Sequence, residues 1–374
     1  MKAEQFDFAR WEDFAAAREA SCCSFLEGTG ENNVLLVQNW PSRFTVCRTP
    51  EESLEMQLDA IACTMNRDFP TDVVPYLEPW FGVGVYANAA GAKYVWTDNQ
   101  SPQTHYIAHT EDEMDAVAFD NDRSEAMQLI LRAIDYFTTE TKGRVPICAT
   151  DTQSPIDTAT LIVDTSVLFT ALYTAPGRVH ALLQKITASV IAFTRTQAAL
   201  LGEAWARPGH LSASVRGGRG MALSDDNIVM MSPGHYSEFA VPYNEQIGRA
   251  FGGLSIHSCG NYEQQLPALL ATEGLLQVDG AFMKEAVDPH PNLNYRLWRQ
   301  AFKDGRVVLR ARMNDNWEEP LRQLYHPGMR IVLEVPCPAS GEPAGKNRER
   351  LNRLLDELRR QREPENMQPS TLQS

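Results

Sequence analysis

From residue 145 to residue 360 the chain alternates between short runs of aliphatic and β-branched residues and longer runs with helical apolar spacing. "RVPICATD" reads as a strand, and "RVHALLQKITASVIAF" after it as a helix with Val179, Leu182, Leu183, Ile186, Val190 and Phe193 on one face. "DNIVMMS" reads as a strand, "HYSEFAVPYNEQIGRAF" as a helix opened by Pro233, "GGLSIHSCG" as a strand and "YEQQLPALLATEG" as a helix. The same order continues through "LLQVDGAF", "LNYRLWRQAFKDG", "RVVLRARM", "EEPLRQLYHPG", "MRIVLEVPC" and "NRERLNRLLDELRRQ", with glycine stops after two of the helices. Successive strand and helix units of about 25 to 30 residues build a parallel sheet. An open doubly wound sheet and a closed barrel share this rhythm. A (β/α)8 TIM barrel is favoured, because the repetition runs to the last helix and polar residues recur where strands end, which a barrel gathers on one face.

A chain of 374 residues accommodates one such barrel, since eight repeated units need about 250 residues and often carry insertions. The expected organisation is an N-terminal helical extension over 1–30 ("WEDFAAAREASCCSFL", ending at Gly28 and Gly30), a barrel over 31–362 and a flexible tail over 363–374. An apolar share of 43% with 22% charged residues is enough for a full core. The formal charge of −14 argues against nucleic acid or a membrane surface as partner. No run approaches the ~18 apolar residues of a spanning helix, and "MKAEQFDFARWEDF" has no apolar segment that could act as a signal peptide, so the expected location is cytoplasmic. Seven cysteines, an odd number without a CxxC pair, do not suggest a disulfide framework. In a reducing compartment they are core residues or metal ligands.

His257 and Cys259 stand at the carboxyl end of "GGLSI", and Cys337 at that of "MRIVLEVPC". In a barrel both ends open on one mouth. Two thiolates and an imidazole make the three-ligand set of a catalytic zinc site with one open position. The plainer alternative is a buried, inert Cys259 and a hydrogen-bonded turn residue at His257. Asp151, Arg216, Asp279 and Asn314 also fall at expected strand ends, where each could instead be a helix cap or a loop hydrogen bond. Asp279 could orient His257 through its other ring nitrogen, or contact a substrate. "RGGRG", with Arg216 and Arg219, could hold a carboxylate, sulfonate or phosphate, or be a loop over the mouth.

The stretch "SPGHYSEFAVPYNEQIGRAFGGLSIHSCGNYEQQLPALLATEGLLQVDGAF" resembles the superfamily of uroporphyrinogen decarboxylase and the zinc-dependent methyltransferases that act on methylated corrinoids. The resemblance extends over about 145–360 and touches "DVVPYLEPWFGVGVYANAAG". The methyltransferase branch carries a His-x-Cys pair and a distant cysteine, places filled here by His257, Cys259 and Cys337. The resemblance implies a uroporphyrinogen decarboxylase-like TIM barrel with zinc, and a corrinoid (cobalamin) methyl carrier, on a partner protein, that exchanges a methyl group with a thiol-type acceptor. Asp279 and Asp151 are then the expected catalytic residues, and Arg216, Arg219 and Asn314 the expected substrate contacts. A homodimer is left open. A fourth zinc ligand is expected in "LSDDNIVMMSP", where Asp225 and Asp226 are present but Val229 and Met230 stand nearer the Ser-Pro. The alternative is a decarboxylase-like lyase using "RGGRG" and Arg312, or a tetrapyrrole- or corrinoid-binding barrel. The decarboxylases' Arg-Gln-Ala-Gly-Arg run is not matched by "QNWPSRFTVCR", which offers Arg43 and Arg48.

Overall fold

The computed structural model describes residues 1–38, 46–66, 71–98, 100–282, 293–338 and 342–360. Arg43 and the tail expected over 363–374 lie outside the described residues.

Six parallel strands form the continuous part of the barrel wall: β1 (Val34–Gln38), β2 (Met221–Ser224), β3 (Leu254–His257), β4 (Leu275–Ala281), β5 (Val308–Arg312) and β6 (Arg330–Val335). Their order is β1-β6-β5-β4-β3-β2. Two less regular extended segments close the ring. Asp72 donates its N–H to Leu36 O at 2.8 Å, and Leu77 and Cys148 exchange backbone bonds with the 146–148 segment and Leu77 at 2.8 and 2.9 Å. Ser224 then bonds Thr152 O at 2.9 Å while Ser154 bonds Ser224 O at 2.7 Å. The wall thus has eight members and is the expected TIM barrel. Pro75, which has no N–H to donate, explains why the 72–77 segment cannot form a regular ladder.

Along β3, Leu254 and Ile256 pack outward in the main core, whereas Ser255 and His257 alternate to the barrel interior. A segment absent from the expected strand–helix rhythm occupies that interior. Ala206–Arg207 pairs antiparallel with Val215–Arg216, and the chain between them runs through the barrel. Ser212 Oγ meets Ser255 Oγ at 2.7 Å, and the Gln277 side chain brackets residue 213, accepting from Ala213 N at 3.1 Å and donating to Ala213 O at 2.8 Å. Ala213 and Val215 then pack with Leu35, Val73, Val308 and Val332 near the amino ends of the strands.

Helix α1 (Phe8–Glu27) starts on the Asp7 side chain, which accepts from Arg10 N, and stops at Gly28 with φ 73°. It lies across the amino-terminal end of the barrel. Trp11 donates to Arg144 O at 3.1 Å, Arg18 to Thr71 O at 2.9 Å, and Arg330 to Leu26 O at 2.7 Å, all beside the starts of wall segments. Outside the wall, α2 (Pro176–Leu201) buries the expected face, including Val179, Leu183, Ile186 and Val190. Two sequence expectations are corrected. The strand lies at Met221–Ser224, and "DNIVM" is a 3-10 turn, held because the Asp157 carboxylate accepts the N–H groups of Asp226 and Asn227 at 2.6 and 2.8 Å. The helix after Pro233 is two helices, α3 (Pro233–Phe239) and α4 (Val241–Phe251), divided just before Pro242, whose ring cannot continue a ladder. No helix among the described residues is long and apolar enough to cross a membrane.

Candidate metal centre

The carboxyl ends of the strands surround a cavity of about 330 Å³ whose lining includes Asp151, His210, Asp226, His257, Cys259 and Arg312. Two adjacent strands place the central pair. His257 and Asp279 are register partners on β3 and β4, so both side chains point inward at one height, and His257 Nδ1 meets Asp279 Oδ2. Asp279 Oδ1 accepts from Arg312 Nε at 3.0 Å, and Asp279 O accepts from Tyr262 OH at 2.6 Å. Burial alone would raise the Asp279 carboxyl, but Arg312 and His257 outweigh it and hold it well below the usual carboxylate range. Burial would likewise lower Arg312, yet Asp279 and Glu334 keep it above its usual value. An ionised Asp279 locked on Nδ1 leaves Nε2 of His257 as the nitrogen facing the cavity.

That nitrogen lies 3.4 Å from Cys259 Sγ. Asp226 completes the group: its Oδ1 accepts from Cys259 N at 2.6 Å, and ligand atoms of Asp226, His257 and Cys259 all lie within 4.8 Å of one another. Burial pushes the Cys259 thiol up to about 11, Asp226 adding to the effect and Arg312 opposing it. A cysteine sulfur, which gives up its proton on binding a metal, beside a carboxylate and an imidazole nitrogen is a donor set that a borderline-soft cation such as zinc fits. Among the described residues this is the one such cluster.

Asp225, its neighbour, faces the opposite way, accepting from Ser154 Oγ, Tyr236 OH and Asn244 Nδ2 at 3.1, 3.0 and 3.2 Å. Burial pushes its carboxyl up to about 6 against those hydrogen bonds, and burial with the charges of Asp225 and Asp226 raises Asp157 as well. Of the two aspartates read in the loop, Asp226 therefore faces the centre and Asp225 anchors the loop. Cys337, half-buried, follows β6 on the same rim but is not one of the three clustered residues.

Asp151 is buried in the cavity wall, where it accepts from Ser224 Oγ at 2.7 Å, Gln153 Nε2 at 3.2 Å and Trp80 Nε1 at 3.4 Å. Opposite His257 stands a second histidine–carboxylate pair that sequence reasoning missed. His210 Nδ1 lies 2.7 Å from Glu78 Oε1, and its Nε2 lies 3.7 Å from Asp151 Oδ1. The two imidazole rings meet edge to face with centroids 5.7 Å apart. His210 rides on the segment that threads the barrel and Glu78 ends an irregular wall segment, so neither has a periodic pattern around it.

The remaining expected contacts lie elsewhere. Asn314 follows Met313 at the rim without lining the cavity. Arg216 and Arg219 are at the amino-terminal end of the barrel, and Arg216 is paired with Glu19 of α1 at 2.7 and 2.8 Å. The reading of "SASVR" as a strand ending at the mouth is corrected: the segment runs antiparallel to the wall, so it ends at the opposite end.

A family model described as uroporphyrinogen decarboxylase (URO-D) matches residues 38–206. A solved methyltransferase from Methanosarcina mazei superposes with a TM-score of 0.60 at 16% identity, covering 92% of this chain and 99% of that one. A protein described as a glycerophosphoryl diester phosphodiesterase, from Silicibacter pomeroyi DSS-3, reaches a TM-score of 0.36 at 13% identity over 90% of this chain and 98% of that one. No curated protein matches the chain. The barrel and the family match over 38–206 make the chain similar to the uroporphyrinogen decarboxylase-type superfamily. The matched residues hold the two irregular wall segments and the helices around them, whereas the motif that suggested the kinship, around His257 and Cys259, lies beyond them.

Proposed function

We propose that the barrel mouth binds one zinc ion through His257, Cys259 and Cys337, with Asp226 closing the fourth position at rest, and that the protein transfers a methyl group between a methylated corrinoid and a thiol-type acceptor. The observation that carries this reading is the convergence of Asp226, His257 and Cys259 in one cavity. The fold shared with a methyltransferase supports the reaction class.

Bound zinc would lower the proton affinity of a thiol taking the open position, so that the nucleophilic thiolate is present at neutral pH. The chain's own residues do the rest. Asp279 fixes the ring of His257. Asp226, exposed on a short turn, is the ligand most easily displaced by an incoming sulfur. His210 and Asp151 lie across the cavity, where they can accept the thiol proton, and Trp80, Val83, Leu211 and Met313 give the apolar wall that a methyl group needs. A cavity of about 330 Å³ suits a small thiol. It is far too small for a corrinoid ring, which would present its methyl group from outside, as on a partner protein. Free thiols at the site suit a reducing, cytoplasmic setting.

The decarboxylase alternative is less well served. Arg312 is occupied by Asp279, and Asp151, Asp226 and Glu334 would oppose a polycarboxylate in the same cavity. The test is metal analysis of wild type beside Cys259→Ala and Cys337→Ala, with methylcobalamin-to-thiol transfer assayed in parallel. One zinc per chain is expected in wild type, with loss of metal and transfer in both variants. Wild-type protein that holds no stoichiometric metal and gains no activity from added zinc sinks the reading.

A further inference from the structure

A cationic cavity in this acidic chain lies at the end of the barrel away from the metal centre. Its volume is about 450 Å³, and it is lined by Arg207, Arg216, Arg219, Arg306 and Arg330, with Glu27 the one acidic side chain in its wall. Among the described residues, Arg216 alone of the five has a carboxylate partner, Glu19. Glu27 forms no ion pair with any of the five among the described residues.

Backbone carbonyls hold three of the arginines in place, Arg207 and Arg330 half-buried and Arg306 exposed. Arg330 donates to Phe25 O and Leu26 O at 3.1 and 2.7 Å, to Gly305 O at 2.6 Å and to Arg306 O at 2.9 Å. Arg207 donates to Gly220 O at 3.2 Å and to Phe251 O, and lies over the Trp205 ring at 4.3 Å. Arg306 donates to Leu270 O. Phe25 and Leu26, Phe251, and Leu270 are each in the last turn of a helix, where cations favour the dipole. These carbonyls fix the guanidinium groups but carry no formal charge. Each guanidinium has five N–H donors, so Arg207 and Arg306 keep several unused, and Arg219, exposed, has no partner among the described residues. Burial, and then the charge of Arg219, hold Arg330 below its usual value, and burial does the same for Arg207. The cavity is therefore built, positive and uncompensated, in a chain whose formal charge is −14.

We propose that this cavity is a binding site for a small multivalent oxyanion, a phosphate or a dicarboxylate, held by Arg207, Arg219, Arg306 and Arg330. The site is separate from the metal centre, one wall length away along the barrel axis. The glycines of "RGGRG" let the loop sit close over it: a Cβ at Gly218 would stand 2.7 Å from Arg207 O and 2.9 Å from Val215 O.

Titration calorimetry and thermal unfolding with inorganic phosphate and with succinate, against chloride at equal ionic strength, test the proposal. Saturable binding of either probe is expected, and which of the two binds identifies the anion as phosphoryl- or carboxylate-bearing. Arg219→Glu, at an exposed position without partners, should weaken binding by about 10- to 100-fold, as the loss of a charge-assisted hydrogen bond does. Arg306→Gln should weaken it in the same sense. Cys259→Ala should leave it unchanged. Binding of neither probe beyond chloride overturns the proposal, as does binding that survives Arg219→Glu and Arg306→Gln or is lost in Cys259→Ala.

Discussion

His257 and Asp279 are register partners on neighbouring parallel strands, with Nδ1 of the histidine against Oδ2 of the aspartate and Arg312 closing the far side of the carboxylate. The arrangement fixes a ring nitrogen toward the cavity and neutralises two buried charges at once. Asp279→Asn keeps an oxygen for Arg312 but loses the charge facing His257. Zinc affinity is expected to fall about 10- to 100-fold, as for other carboxylates behind a ligating histidine, measured by competition with a chelating dye. Asp279→Ala should in addition destabilise the fold by about 3 to 5 kcal/mol, because it leaves a buried guanidinium unpaired, a loss that urea unfolding reads directly.

Asp226 supplies a different test. Its Oδ1 accepts from Cys259 N, a bond that an asparagine oxygen can also make, so Asp226→Asn should retain the loop and the fold. If the carboxylate closes the metal site at rest, the variant releases zinc to a chelator faster than wild type while circular dichroism stays the same. Unchanged release kinetics would remove Asp226 from the ligand set.

His210 faces His257 across the cavity and leans on Glu78, with Asp151 within 3.7 Å of its second nitrogen. A role in accepting the thiol proton predicts that His210→Gln keeps its zinc but transfers methyl groups about 100-fold more slowly, the usual scale for loss of a positioned base. The deficit should shrink as pH rises and the acceptor thiol ionises unaided. A pH-independent deficit, or loss of metal, would give His210 a structural role instead.

How much of this was legible follows from what periodicity can carry. The helices from Pro176 to Arg360 and the strands ending near His257, Asp279, Arg312 and Val335 announce themselves, because each buries a regular face. His257, Cys259 and Asp279 inherit that clarity as residues at strand ends. Ala206–Arg207 and Val215–Arg216, two residues each, are too short to show a period, and their reversal of direction is set by contacts such as Gln277 to Ala213, 64 residues apart. Arg216 and Arg219 were therefore assigned to the wrong end of the barrel. His210 and Glu78 were missed for a related reason: they meet across 132 residues, and nothing local marks either one. Asp226 was in view, but only the turn held by Asp157 distinguishes it from Asp225.

The threading segment is itself open to test through Gln277. This side chain is buried on β4 and satisfies both backbone groups of Ala213, donating at 2.8 Å and accepting at 3.1 Å. Gln277→Leu fills nearly the same volume but leaves an N–H and a C=O without partners inside the barrel. Each such group costs about 1 to 3 kcal/mol, so the variant should be about 2 to 6 kcal/mol less stable in urea unfolding. The same segment carries His210 to the mouth and Arg216 to the opposite end, so its loosening should be felt at both. Slower methyl transfer and weaker phosphate or succinate binding are expected together in this one variant, although Gln277 lines the arginine-rich cavity and not the metal centre. A variant as stable as wild type, or one impaired at a single end, would show that the segment is held by other contacts.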